Sequence, residues 1–85
     1  MITAEQLKAL QDRVEQLHRY LDIEAKTMQL AEEQIRTQDP SFWDDRARAE
    51  EQMKLVKGLE KWINGYKEAK SMTDELQLAF EFYKD

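Results

Sequence analysis

The sequence has no cysteine, one proline and only two glycines among its 85 residues. Without cysteine, the chain can form neither a disulfide framework nor a thiolate metal site. So few turn-forming residues exclude a strand-rich fold, which needs a turn between successive strands. No apolar run approaches the roughly 18 residues of a membrane-spanning helix. We therefore expect one small helical domain that does not enter the membrane.

Charge is abundant but nowhere concentrated. Charged residues make up 36% of the chain, and the net charge is −5. Acidic and basic residues are interspersed, whereas proteins that bind nucleic-acid backbones cluster lysine and arginine. The first 20 residues carry carboxylates within a helical pattern, which is unlike a secretion signal. These features favour a cytoplasmic protein that contacts other proteins rather than specific nucleic-acid sequences.

A heptad of apolar residues predicts a long first helix. Thr3 and Gln6 form a capping-box pattern at its start. No glycine or proline follows before Pro40, so we expect a helix over about 4–37, roughly 50 Å long at 1.5 Å per residue. The heptad positions are Leu7, Val14, Leu21, Met28 and Ile35. A second row of positions, three residues after each of these, is interrupted by the charged residue Glu24.

The stretch DPSFWDD, residues 39–45, predicts a turn at 38–42. Pro40 ends the first helix, because proline disfavours helical backbone in the residue before it. Ser41 and Asp44 then supply the capping pattern of a second helix. Phe42 and Trp43 are either a buried plug that closes the end of a hairpin or an exposed docking knob, and we favour the plug.

The second helix is expected over about 43–70. Its apolar stripe can pack back along the first helix, which predicts a long antiparallel hairpin. Asn64 and Gly65 offer a helix end, yet the helical period continues past them, so we favour a helix that runs on to Lys70. Ser71 and Thr73 then offer caps for a third, shorter helix at about 73–84. The predicted fold is all-α and resembles a three-helix bundle over residues 1–85.

The residues do not predict a catalytic site. His18 has carboxylates but no second histidine on its helical face, so it is expected to be a surface histidine rather than a metal ligand. Asp22 and Lys26 have the spacing of an exposed ion pair on a helix, worth about 0.2–0.5 kcal/mol. We expect no metal and no cofactor.

Three segments together carry a resemblance to a known family. They are RYLDIEAK at 19–26, DPSFWDD at 39–45 and AEEQMKLVKGLEKW at 49–62. In this order and spacing they resemble the amino-terminal domain of bacterial peptide chain release factor two, a class I release factor. The positions that match the family pattern are Tyr20, Leu21, Asp22, Lys26, Pro40, Phe42 and Trp43.

The resemblance implies that the chain is part of a larger protein that recognises UGA and UAA stop codons on the ribosome and triggers hydrolysis of peptidyl-tRNA. The family's catalytic Gly-Gly-Gln motif is absent here, since Gly58 and Gly65 stand apart. Its codon-reading Ser-Pro-Phe motif is absent too, because Ser41 follows Pro40. The chain is therefore not expected to be an enzyme.

The family's first domain lies toward the base of the ribosomal stalk and contributes to the interplay with the class II GTPase release factor. The implied partners are ribosomal proteins, that GTPase and the remaining domains of the parent chain. A rival hypothesis from another class is a stand-alone coiled-coil adaptor that uses its helix seam between chains. A concentration-dependent melting temperature would distinguish such an oligomer from a closed bundle.

Overall fold

Helices account for nearly all of the chain. The computed structural model of the protein describes residues 2–84. Its elements are helix α1 (Ala4–Tyr20), helix α2 (Ile23–Arg36), a 3-10 helix (Pro40–Asp44) and helix α3 (Arg46–Lys84). The prediction of an all-α fold is confirmed. None of the helices in this part of the chain combines the length and the apolar character that crossing a membrane requires.

The helices form a long hairpin of two arms. Helices α1 and α2 follow each other along one arm, and α3 forms the other. Gln11 contacts Gln77, His18 contacts Tyr66, and Gln52 contacts Glu33, so residue numbers rise along one arm as they fall along the other. The hairpin is therefore antiparallel, as predicted, and measures 60 × 22 × 16 Å.

Helix α1 begins where the sequence predicts. The Thr3 hydroxyl accepts the Gln6 backbone N–H at 3.1 Å, and the Gln6 side-chain oxygen accepts the Thr3 N–H at 3.0 Å. Together these two bonds satisfy two backbone donors that the helix start would otherwise leave unpaired. The predicted capping box is confirmed.

The first arm is not the single helix that we expected over 4–37. It breaks at Asp22, whose φ of 49° and ψ of 59° lie in the left-handed region. Aspartate and asparagine tolerate this region better than other residues with side chains, so the chain can turn there without glycine. The break shifts by two residues the row of first-arm positions that faces α3. After the break this row continues at Ile23, Leu30 and Thr37, while the heptad residues Met28 and Ile35 are each 66% exposed.

The second arm starts later than predicted. Residues 40–44 form a 3-10 helix, and α3 begins only at Arg46. Ser41 does not cap α3, since both its N–H and its hydroxyl donate to Asp39 Oδ1, at 3.0 and 2.9 Å. Asp45 takes that role, because its Oδ1 accepts the Arg48 backbone N–H at 3.2 Å.

Helix α3 runs unbroken to Lys84. Its continuity through Asn64 and Gly65 is as predicted, but the separate third helix at 73–84 is wrong. Thr73 does not cap a new helix. It is buried, and its hydroxyl donates back to the carbonyls of Ala69 and Lys70, at 3.1 and 2.8 Å, which leaves the helical backbone intact.

The core lies between the two arms. Among the residues that the structure describes, its buried apolar members are Leu7, Val14, Ile23, Ala49, Val56, Leu59 and Ile63. Glu33 is buried beside them, and its carboxylate accepts a hydrogen bond from the Gln52 amide and lies 3.8 Å from the Arg36 guanidinium. Such partners offset the cost of removing a carboxylate from water.

Candidate interaction site

The residues predicted as a site fall into two separate patches. The hinge patch comprises Tyr20, Leu21, Asp22 and Lys26, at the junction of α1 and α2. The tip patch comprises Pro40, Phe42 and Trp43, at the closed end of the hairpin. Helix α2 has 14 residues and separates the patches by about 21 Å at 1.5 Å per residue. The fold therefore does not bring the predicted residues together into one site.

In the hinge patch, Asp22 and Lys26 each stabilise a helix end. Asp22 Oδ1 accepts the Ala25 backbone N–H at 3.4 Å and so caps the start of α2. The Lys26 ammonium donates to the Leu21 carbonyl at the end of α1. A carboxylate at a helix start and a cation at a helix end both oppose the helix dipole. The expected Asp22–Lys26 ion pair is thus wrong, because each group is turned toward backbone instead.

Tyr20 is the exposed contact group of the hinge patch. It is the last residue of α1 and is 86% exposed, whereas Leu21 beside it is half-buried. A tyrosine ring brings apolar area and a hydroxyl to a contact with little loss of conformational freedom. The hinge therefore presents a single aromatic ring at a fixed backbone kink.

In the tip patch, Trp43 is held in one orientation although it is 52% exposed. Its indole N–H donates to the Thr37 carbonyl at 3.0 Å. Its ring meets Phe42 edge to face, with 5.2 Å between ring centroids and an interplanar angle of 89°. The buried-plug prediction is wrong for Trp43, because the 3-10 turn lays its ring against its own turn instead of between the arms. Phe42 is half-buried.

A basic groove that the sequence analysis missed runs beside Trp43. Its charged lining comprises three cations and one carboxylate, and Arg46 lies 3.6 Å from Glu50. Positive charge here contrasts with the net charge of −5 of the whole chain. The spacing of three and four residues along α3 could have revealed this face. The lining residues are Trp43, Arg46, Ala49, Glu50, Met53, Lys54 and Lys57.

A second groove, between α1 and α3, contains His18 and Tyr66. Their rings pack at 4.9 Å between centroids with an interplanar angle of 63°, and His18 is half-buried rather than on the surface as expected. A 2.6 Å hydrogen bond to Asp74 raises the pKa of Lys70 at the same groove. Within residues 2–84, no group of three or more histidines, cysteines or carboxylates is arranged to hold a metal ion.

Comparison with known proteins finds relatives described as peptide chain release factor 2. The chain is 32% identical over 73 residues to peptide chain release factor 2 of Aromatoleum aromaticum, covering 86% of the chain and 20% of that protein. It is 29% identical over 65 residues to the factor of Staphylococcus saprophyticus, covering 76% and 17%. It is 25% identical over 79 residues to that of Staphylococcus epidermidis, covering 93% and 21%.

The similarity thus extends over most of this chain but over only about a fifth of each relative. No family model matches the chain. No solved structure matches it either. The class that the fold and the relatives define is a release-factor-like helical region. The particular protein that this region resembles is peptide chain release factor 2, and the resemblance predicted from the sequence is confirmed at that level.

Proposed function

We propose that the chain is a helical interaction module of a bacterial class I release factor and acts in translation termination at UGA and UAA codons. The observation that carries the proposal is the similarity to peptide chain release factor 2 along most of the chain. The residues of the hinge and tip patches are those on which the sequence resemblance rests. In this proposal the module works in the cytoplasm, as part of a larger protein.

The proposed partners are ribosomal proteins near the base of the stalk and the class II GTPase release factor. Tyr20 and Trp43 are exposed aromatic rings on fixed backbone, the kind of side chain that is enriched in protein interfaces. The basic groove beside Trp43 would attract an acidic protein surface. The net charge of −5 disfavours direct binding to the phosphate backbone of ribosomal RNA.

The module itself is proposed not to be catalytic. The two glycines of the chain are seven positions apart, at 58 and 65, so neither belongs to a Gly-Gly-Gln sequence. Peptide release and codon reading would belong to other domains of the parent protein. The module's contribution would then appear in the steps that follow release, when the class II factor acts.

A chimeric release factor tests this proposal. The chain replaces the matching segment of a peptide chain release factor 2, and peptide release is measured on ribosomes paused at UGA. We expect single-turnover release at the rate of the parent factor, because the reacting groups lie elsewhere. With the class II factor present, we expect repeated turnover at the parent rate and faster than that of a factor lacking the segment. A chimera that releases peptide once but turns over no faster than the factor lacking the segment would contradict the proposal.

Matched variants of the chimera test the role of the tip. Trp43 in the tip patch and Met28 outside both patches are large apolar side chains, 52% and 66% exposed. Trp43→Ala should slow turnover in the presence of the class II factor while single-turnover release is unchanged. Met28→Ala should leave both rates unchanged. Equal effects of the two substitutions would argue against a specific role for the tip.

A further inference from the structure

Helix α3 carries a second apolar stripe that neither α1 nor α2 covers. Its positions recur at alternating intervals of three and four residues, and none of them is charged. Eight of the nine residues are exposed, and Ala69 is half-buried. We call this set the outer stripe. It consists of Leu55, Gly58, Trp62, Gly65, Ala69, Met72, Leu76, Ala79 and Tyr83.

This spacing is typical of the residues that form the seam of a coiled coil. Apolar residues at intervals of three and four form one continuous face on a helix, which packs knobs into holes against a second helix. The face of α3 that packs on α1 and α2 lies beside the outer stripe and includes Val56, Leu59 and Ile63. Helix α3 therefore has two adjacent apolar faces, of which one has a partner within the chain.

The glycines of the chain both lie on the outer stripe. A β-carbon built at Gly58 or Gly65 would meet no other atom within 4 Å. Within the described part of the chain, no other helix therefore packs closely against either glycine. Glycine lowers helix stability, so two of them on one face fit a helix whose backbone is approached closely by another chain.

The charges along one edge of the outer stripe show which partner fits. Lys54 and Lys61 precede its first half, and Glu68 and Glu75 precede its second half, each one residue before a stripe position. All four side chains are exposed. When two copies of α3 pair in opposite directions, Lys54 faces Glu75 of the other copy, and Lys61 faces Glu68. A parallel pair would instead set the two lysine-rich halves side by side.

The sizes of the stripe residues fit the same arrangement. In the antiparallel register that pairs these charges, Trp62 lies opposite Gly65 of the other copy, and Leu55 lies opposite Met72. A large ring facing a glycine allows close approach of two backbones without overlap. The pattern is self-complementary, as a two-fold interface requires, because each contact occurs twice.

We propose that a second copy of this chain docks on the outer stripe, antiparallel, about a two-fold axis that passes near residue 64. The inference goes beyond the proposed role in termination and does not depend on it. It assigns the face to self-association, with lysine–glutamate contacts that set the direction of the two helices.

Sedimentation equilibrium of the 85-residue chain tests the proposal. The average mass should rise with concentration from the 10.2 kDa of one chain toward twice that value. Lys54→Glu with Lys61→Glu makes the whole edge acidic, and Glu68→Lys with Glu75→Lys makes it basic. Each double variant should dimerise at least about tenfold more weakly, because opposite charges become like charges. Mixing the two should restore a dimer, now of unlike chains.

The controls separate this arrangement from nonspecific effects. Combining all four substitutions in one chain exchanges the charges and should restore the homodimer. Lys8→Glu with Lys67→Glu changes the net charge equally at exposed positions away from the edge, and should leave dimerisation unchanged. Circular dichroism checks that each variant is helical. A constant mass of one chain would overturn the proposal, as would a dimer that the charge reversals do not weaken.

Discussion

The two faces of α3 are similar in apolar character but differ in what covers them. The inner face, with Val56, Leu59 and Ile63, is buried against α1 and α2. The outer stripe, with Trp62 and Met72, is open to solvent over the described residues. Apolar area stabilises the fold where it is buried, as on the inner face. Where it is exposed, as on the outer stripe, it is available for association. The difference shows that apolar periodicity alone does not reveal whether a face belongs to the core or to an interface.

The neighbouring residues Ile63 and Trp62 give the largest expected contrast between the two faces. Ile63 is 3% exposed, so Ile63→Ala should lower the free energy of unfolding by about 2–4 kcal/mol through lost contacts and a cavity. Trp62→Ala should cost less than about 1 kcal/mol in the dilute monomer, although a larger side chain is removed. Urea unfolding followed by circular dichroism measures both. Similar losses for the two variants would remove the distinction between the faces.

The backbone break at Asp22 determines which residues of the first arm pack against the inner face of α3. Asp22→Ala removes the cap of α2 and places alanine in left-handed backbone, so it should lower the free energy of unfolding by about 1–2 kcal/mol. Asp22→Gly also removes the cap but suits the backbone, and should cost only about a few tenths of a kcal/mol. Urea unfolding compares the two. An alanine variant as stable as the glycine variant would mean that the backbone at residue 22 has little influence.

The smallest predicted effect has the opposite sign. Gly65 lies in the middle of α3 with open space around it, so Gly65→Ala should raise the stability of the dilute monomer by about 0.5–1 kcal/mol. The same change should weaken the antiparallel dimer, because it adds a methyl group opposite Trp62. Thermal unfolding at low concentration and sedimentation at high concentration separate these effects. A less stable monomer would show that the glycine is needed within the chain.

Much of the fold follows from local signals in the sequence. The capping box at Thr3 and Gln6 and the passage of α3 through Asn64 and Gly65 were predicted, because helical period and backbone hydrogen bonding agree there. The antiparallel hairpin follows from one strong turn, at Pro40, between two apolar stripes. These features depend on few residues that lie close together in the chain.

The features that the sequence did not predict depend on a choice between two uses of one side chain. Asp22 can pair with Lys26 on a continuous helix or cap a new one, and the apolar heptad that continues to Met28 and Ile35 favours the continuous helix. The Thr73 hydroxyl can start a helix or bond to the preceding turn. Packing between the two arms decides these choices. A local sequence pattern carries no information about that packing. For the same reason the exposure of Trp43 could not be read from DPSFWDD.

The most direct test of the difference between the two faces is the fluorescence of Trp62 in a Trp43→Phe chain, where it is the sole tryptophan. If the outer stripe is an interface, its emission should move to shorter wavelength as the chain concentration rises, because the half-exposed indole leaves water. The same shift should be absent when Lys54→Glu and Lys61→Glu are added. Emission that does not change with concentration would contradict the assignment of this face to association.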